Sequence, residues 1–496
     1  MSHPSWTTDA VTVSTNSGNT LYAMIAQPSP PGHRSVLTGQ AGPAGSFTRL
    51  VATLALFTGL AGGFWRDFIG WWGWGALAAA IVVTSIVLLT RRRRVSLPPV
   101  WLGLFLVLII ASVGWSDYRA VTVLADIAQL STTAVGAFLA LALSWAELVR
   151  ALANALRWIV GLSLLFELVV SLLVRHQILP FWTNYGPGPH PEAFYWSRNV
   201  LLHGGRIQGI VGNSNILGMC ALLAVIVFGA QLADGAVRRM RGVSWLVAAA
   251  LCVVLTRSST VVAAAFVVLL AFVFAVWCRH RPEEHRRRVY VTAAASAVAA
   301  ILAVLALRGP LLALLGKTDT LTGRTVIWHS VAQLARQRPA FGWGWTSYWA
   351  PWVKPFKGLA VQDGVEYLQA HDAWLDVWMQ VGIVGLVIFA ALCATTLWRL
   401  WFLAVDSPKV PAAHGDTARR ALALVPFLIF VAYLAQSLAE SRLLIEGGWM
   451  LLVAFSLKSA QGQIDPGPGA DAPGDDARRL ARPHGHESGE ALQGRR

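Results

Sequence analysis

The chain has 496 residues, of which 55% are hydrophobic and 13% charged; 40 Lys and Arg against 25 Asp and Glu give a net charge of +15. Soluble domains carry about 25% charged residues, and the mean hydropathy here is +0.55, so composition excludes an ordinary soluble enzyme and points to a membrane protein. The basic residues lie in short runs between apolar segments, as in cytoplasmic loops, and this argues against nucleic-acid binding.

Residues 1–45 are rich in Ser, Thr, Pro and Gly and poor in apolar residues, so a disordered cytoplasmic N-terminal segment is expected. No short apolar run with a cleavage site follows a basic start, which argues against a signal peptide. A helix needs about 20 apolar residues to cross a bilayer. Segments of that kind lie near 47–65, 71–90, 98–114, 121–143, 156–174, 209–232, 243–256, 259–277, 289–307, 373–398, 421–439 and 443–458. The expectation is an all-α polytopic membrane domain over 46–458 with about twelve transmembrane helices. A polar, Gly- and Pro-rich tail, 459–496, is expected to be disordered and cytoplasmic.

Charge tests the alternation. If the N-terminus is cytoplasmic, the even connections are too, and these hold Arg91–Arg94, Arg150 and Arg157, Arg238, Arg239 and Arg241, Arg279, Arg281 and Arg286–Arg288, then Arg399, Lys409, Arg419 and Arg420. The short opposite connections hold isolated basics such as Arg66, Arg119, Arg257 and Arg442. Two long connections, about 175–208 and 308–372, then fall on the outer face of a cell membrane protein with both termini inside. Cys220, Cys252, Cys278 and Cys393 lie in or beside apolar segments without paired spacing and read as buried hydrophobes. Several of the 23 tryptophans sit at segment ends, as interfacial belts require.

The candidate chemistry lies on the outer side. Arg324, in LTGRTVIW, precedes an amphipathic pattern of Val326, Ile327, Val331 and Leu334. An arginine at a helix start suits phosphate, because guanidinium forks two bonds to it and the helix N–H groups add to the field. The same residue could instead touch lipid headgroups. His371, in LQAHDAWLDVW, stands where an outer loop becomes a helix, and an imidazole there can accept a proton from a hydroxyl near neutral pH. His371 and Asp372 could also merely cap that helix, for which Asp372 is suited. Arg206, in HGGRIQGIVGNSNILG, occupies the other long outer connection, among glycines that let a ligand or a helix approach. Trp343, Trp345, Tyr348 and Trp349 could stack on sugars or anchor the loop at the interface. Asp126 and Glu167 are acids within predicted spans. No carboxylate cluster, DxD or HExxH pattern suggests a metal, and arginines can supply charge stabilisation in its place.

GRTVIW, PAFGWGW and AHDAWLDVWMQVGIVGL together resemble the shared block of the O-antigen ligase/polymerase family of bacterial membrane glycosyltransferases. RIQGIVGNSNILG, WSDYR and LTRSSTVV resemble its shorter motifs, the last with altered order. The resemblance covers roughly 47–458 and implies a C-type glycosyltransferase-like fold of about twelve helices with a large extracytoplasmic loop. It implies metal-independent, inverting transfer of a glycan from an undecaprenyl-pyrophosphate carrier to a glycan, lipid or protein acceptor, without a cofactor. It assigns Arg206 and Arg324 to the pyrophosphate and His371 to the acceptor hydroxyl. Apart from the resemblance, Asp372, Trp345 and Tyr348 are candidate glycan or acceptor contacts. Asp372 departs from the Asn or Ser often found after that histidine. A repeat-unit polymerase and a small-anion or sugar transporter are the rival readings. Transporters tend to place polar groups at mid-membrane, whereas here they gather at helix ends.

Overall fold

The computed structural model describes residues 44–91, 97–183, 185–188, 190–282, 288, 290–292, 324–362, 364–406, 409–411, 417–419 and 421–461. The expected N-terminal segment up to residue 43, most of the segment 289–307, the loop residues 308–323 and the tail beyond 461 lie outside them.

The chain is an all-α polytopic membrane protein. Its helices are α1 Ser46–Leu60, α2 Gly62–Thr90, α3 Val100–Ala111, α4 Arg119–Ala142, α5 Trp145–Val169, α6 Ser214–Ala233, α7 Arg239–Thr256 and α8 Ser259–Arg279. They continue with α9 Arg324–Gln337, α10 Ala373–Val405, α11 Val425–Ser437 and α12 Glu446–Ala460. Among the described residues, seven helices are long and apolar enough to cross a membrane, and α1, α3 and the segment Ala421–Ser437 are shorter apolar helices. The outward faces are apolar too. On α8, Val262, Phe266, Leu269 and Val273 recur at helical spacing and are each more than half exposed, as suits a lipid-facing stripe.

Helices stand at eleven of the twelve expected segments, and the differences lie at their ends. The apolar window placed α5 from residue 156, but the helix begins at Trp145. Ser144 caps it: its hydroxyl accepts from Glu147 N at 3.2 Å while Glu147 Oε2 accepts from Ser144 N at 3.0 Å, a capping box that lets a charged first turn precede the apolar run. In the same way α6 starts at Ser214, not near 209, because the Asn213 side chain accepts from Asn215 N and Ile216 N.

Contacts carry the chain back and forth through one bundle. α12 packs on α4, α6 on α7, α1 on α5, α11 on α8 and α3 on α10. One end of the bundle gathers the α3–α4, α5–α6, α7–α8 and α11–α12 connections with the segment 324–372. The runs at Arg238–Arg241 and Arg279–Arg281 lie at the other ends of the same helices.

The segment before α10 is bolted down through its backbone. α10 is interrupted at Val381 and Gly382, where the helical ladder opens. The loop 339–344 uses the freed groups: Ile383 N donates to Pro339 O at 2.8 Å, Gly344 N to Gln380 O at 2.8 Å and Trp343 N to Met379 O at 3.1 Å. Two glycines make this approach possible. Gly382 has φ +70° and a Cβ there would lie 2.1 Å from Ala340 O; Gly342 has φ +69° and a Cβ would lie 2.5 Å from the Gln380 backbone. The WSDYR connection clasps the same loop from the far side. Trp115 Nε1 donates to Phe341 O at 3.1 Å, Tyr118 Oη to Gly344 O at 2.9 Å, and Arg338 pairs with Asp117 while covering the Trp343 ring. The motifs that read as a signature in sequence are therefore first a scaffold.

Candidate functional site

Each polar side chain of the site sits at a junction between a loop and a helix. α9 begins at Arg324 and buries Ile327, Val331 and Leu334 beside Tyr118, Trp349 and Phe356. Val326, expected on that face, is instead 63% exposed, because the helix turns it away from the contact. With the apolar face pinned, the Arg324 guanidinium projects to the bundle end. Its Nη2 donates to Glu440 Oε1 at 2.9 Å and its Nη1 to Thr260 Oγ1 at 3.4 Å.

His371 is held in a left-handed backbone conformation, φ 52°. Such a conformation costs a non-glycine residue roughly 1–3 kcal/mol and persists only where neighbours enforce it. They do so here. Ala370 N donates to the buried Asp376 Oδ2 at 3.0 Å, and Ala370 O accepts from Trp328 Nε1, of the GRTVIW motif, at 3.0 Å. Asp376 also accepts from Trp349 Nε1 at 2.9 Å and from Ser441 Oγ. One carboxylate thus fixes the residue before His371 and the residue after Glu440. Asp372 caps α10 by accepting from Trp374 N and Leu375 N, each at 2.9 Å.

His371 Nδ1 meets Glu440 Oε2 at 2.9 Å. A carboxylate only accepts, so this bond places a proton on Nδ1; in the neutral imidazole the lone pair then stands on Nε2. Burial pushes the Glu440 carboxyl up, but the His371 hydrogen bond and the charges of His371, Arg324 and Arg442 outweigh it and hold the group below its ordinary range. Asn215 extends the network: Nδ2 donates to Glu440 Oε1 at 2.9 Å, while Oδ1 accepts from Arg206 Nη2 at 2.9 Å and Ser258 Oγ at 2.8 Å. The backbone around Arg206 is set by buried Glu167, which accepts from Gln208 N at 2.9 Å, Gly209 N at 2.7 Å and Ser197 Oγ at 3.1 Å.

These groups line one cavity of about 540 Å³. Arg206, Arg324 and His371, drawn from three distant stretches, all reach its wall. So do Arg198 and Arg257, which gives four arginines against the single carboxylate of Glu440 among the lining residues. Burial, then the charges of Arg198 and Arg324, lowers the proton affinity of Arg206. Among the described residues no group of three or more His, Cys, Asp or Glu is placed to hold a metal ion. The four cysteines are buried.

Three other sequence candidates lie elsewhere. Trp345 is fully buried with its ring edge-on to Phe105 at 5.8 Å, so its bulk fills the core and it does not line the cavity. Tyr348 Oη lies 3.0 Å from Arg442 Nη1 and 3.3 Å from Glu446 Oε1, in a separate cluster. Asp372 is spent on its cap. Of the two acids within spans, Glu167 holds the backbone of Gln208 and Gly209, and Asp126 Oδ1 is buried without a hydrogen-bond partner. Sequence reasoning passed over Glu440 and Asp376. The signal for Glu440 was present: ESRLLIE packs three charges into the short connection between two apolar segments.

Fold and cavity together define a polytopic membrane protein with a cationic pocket at one end of its helix bundle. A family model described as O-Antigen ligase matches residues 244–390, and over that stretch the chain is similar to that family. The match takes in Arg257, Arg324 and His371, begins after Arg206 and ends before Glu440. A search of curated proteins finds no match to the chain.

Proposed function

We propose that the cavity transfers a glycan from an undecaprenyl-pyrophosphate carrier to an acceptor hydroxyl, on the outer face of the inner membrane, in the assembly of cell-surface polysaccharide. The observation that carries this reading is the convergence of Arg206, Arg324 and the His371–Glu440 pair on one wall. Four arginines suit a pyrophosphate diester better than a neutral ligand, since each can fork to phosphate oxygens. The position of the site opposite the arginine-rich connections supports the outer face.

In this mechanism the acceptor hydroxyl gives its proton to His371 Nε2 as its oxygen forms a bond to the anomeric carbon. The bond from that carbon to the phosphate oxygen breaks, and the electron pair leaves with undecaprenyl pyrophosphate. Attack opposite the leaving group inverts the anomeric centre. Glu440 keeps the imidazole in the productive tautomer and steadies the imidazolium that forms. Arg206 and Arg324 offset the charge growing on the leaving oxygen, so transfer needs no metal and no general acid on the leaving side.

The test is the purified protein in proteoliposomes supplied with a defined carrier-linked glycan and candidate acceptors. Transfer with release of the carrier is expected, and Arg324→Ala should abolish it while the protein remains inserted. Arg324→Lys should also do poorly, because it loses the bidentate fork. The acceptor used will separate ligase from polymerase. Uptake of a free sugar or anion with no transfer would overturn the reading.

A further inference from the structure

Beside the arginine cavity lies a second one of about 230 Å³. The two share Ala193, Gly212 and Asn213 in their walls. The partition is thin: Gly212, at φ +66°, carries no side chain, and a Cβ there would stand 3.1 Å from Asp67 Oδ2 and 3.5 Å from the Trp196 ring. Whatever occupies the second cavity therefore sits next to whatever occupies the first.

The lining differs in kind. Phe194 and Tyr195 are half-buried and supply aromatic surface, with Trp196 buried behind them, and Arg66, Asp67 and Arg442 supply polar groups. The charges nearly cancel, because Arg442 Nη1 bonds Glu446 Oε2 at 2.9 Å and Arg66 stands 4.0 Å from Glu446 Oε1. Arg442 Nε is nevertheless buried without a hydrogen-bond partner. A strongly anionic ligand belongs in the neighbouring cavity, not here. Aromatic faces beside a carboxylate and guanidinium groups suit a polyhydroxylated ring, whose C–H face packs on the aromatic surface while its hydroxyls bond the charged groups. Drug-sized ligands need cavities of about 300–1,000 Å³, so this smaller space fits a single sugar unit.

We infer that the cavity formed by Arg66, Asp67, Phe194, Tyr195, Trp196 and Arg442 is a saccharide subsite, which seats the sugar unit adjoining the reacting bond. The inference rests on the transfer reading and adds to it the position of a sugar. The sugar can come from the donor glycan or from the acceptor, and the experiment separates the two.

Asp67→Asn, which keeps shape, and Tyr195→Ala are compared with the full-length protein in proteoliposomes. Steady-state transfer is measured against donor and against acceptor, and binding of glycan-free undecaprenyl pyrophosphate is measured separately. The KM for one substrate is expected to rise about tenfold in both variants, the scale of one lost polar or stacking contact, with carrier binding unchanged. A rise for the donor assigns the site to the donor glycan; a rise for the acceptor assigns it there. If both KM values stay within about twofold of the parent, the subsite is overturned and the transfer reading stands. If Arg206→Ala binds the carrier as the parent does, the transfer reading falls, and this inference with it.

Discussion

His371 and Glu440 meet at 2.9 Å although 69 residues separate them in the chain. They are brought together by Asp376, which bonds Ala370 on one side and Ser441 on the other. The pair therefore belongs to a rigid junction of α10 with the α11–α12 connection, and its geometry is set before any substrate arrives.

Glu440→Gln keeps the side-chain shape and removes the charge. An amide neither fixes the Nδ1 proton as firmly nor stabilises the imidazolium. We expect kcat to fall about 10²-fold or more, with the KM for the donor not raised, because the arginines remain. Steady-state kinetics of the purified variant check this; an unchanged kcat would remove Glu440 from the mechanism.

Glu440 also ties stability to pH. Its carboxyl is lowered from an ordinary value of 4.5 in the folded protein, so the unfolded chain takes up the proton first as pH falls. The stability it contributes is complete above that value and is lost as pH drops through it toward the depressed folded one. Melting in detergent should thus fall on acidification more steeply for the parent than for Glu440→Gln. Parallel curves would show that the carboxylate is not paired as described.

Asp376 touches neither cavity and acts through others. Asp376→Asn replaces one acceptor oxygen by a donor, so it cannot hold Ala370 N, Trp349 Nε1 and Ser441 Oγ together. Stability should fall by about 1–3 kcal/mol for an unmet buried group. The positioning role predicts more: kcat should drop at temperatures well below the melting transition, while binding of the carrier persists. Equal loss of both would mark a purely structural role.

Glu167→Ala leaves Gln208 N and Gly209 N, two and three residues from Arg206, without their acceptor. Carrier affinity should weaken by about tenfold, with little change in the rate of bound substrate. Affinity equal to the parent would show that Arg206 is placed without it.

Arg206, Arg324 and His371 were legible because each marks a place where a polar stretch turns into an apolar helix on the same side of the bundle. Alternation of charged connections supplies that side from sequence alone. Glu440 was not legible, because its importance lies in partners 69 and 116 residues away, and pairing at that separation is decided by packing. Aromatic residues misled for a related reason. Trp345, a candidate sugar contact in sequence, fills the core, whereas Tyr195, which nothing in the sequence singles out, lines a cavity. Apolar windows located the helices but not their starts, since a capping serine or asparagine adds or removes a turn that hydropathy does not register. The break in α10 was hidden in an apolar run whose only mark is Gly382.

The most direct test of the central claim is single-turnover transfer by purified His371→Ala, with donor bound to every molecule. The account predicts that the variant binds the carrier-linked glycan as the parent does and transfers it roughly 10²–10⁴-fold more slowly. Transfer at the parental rate would contradict it.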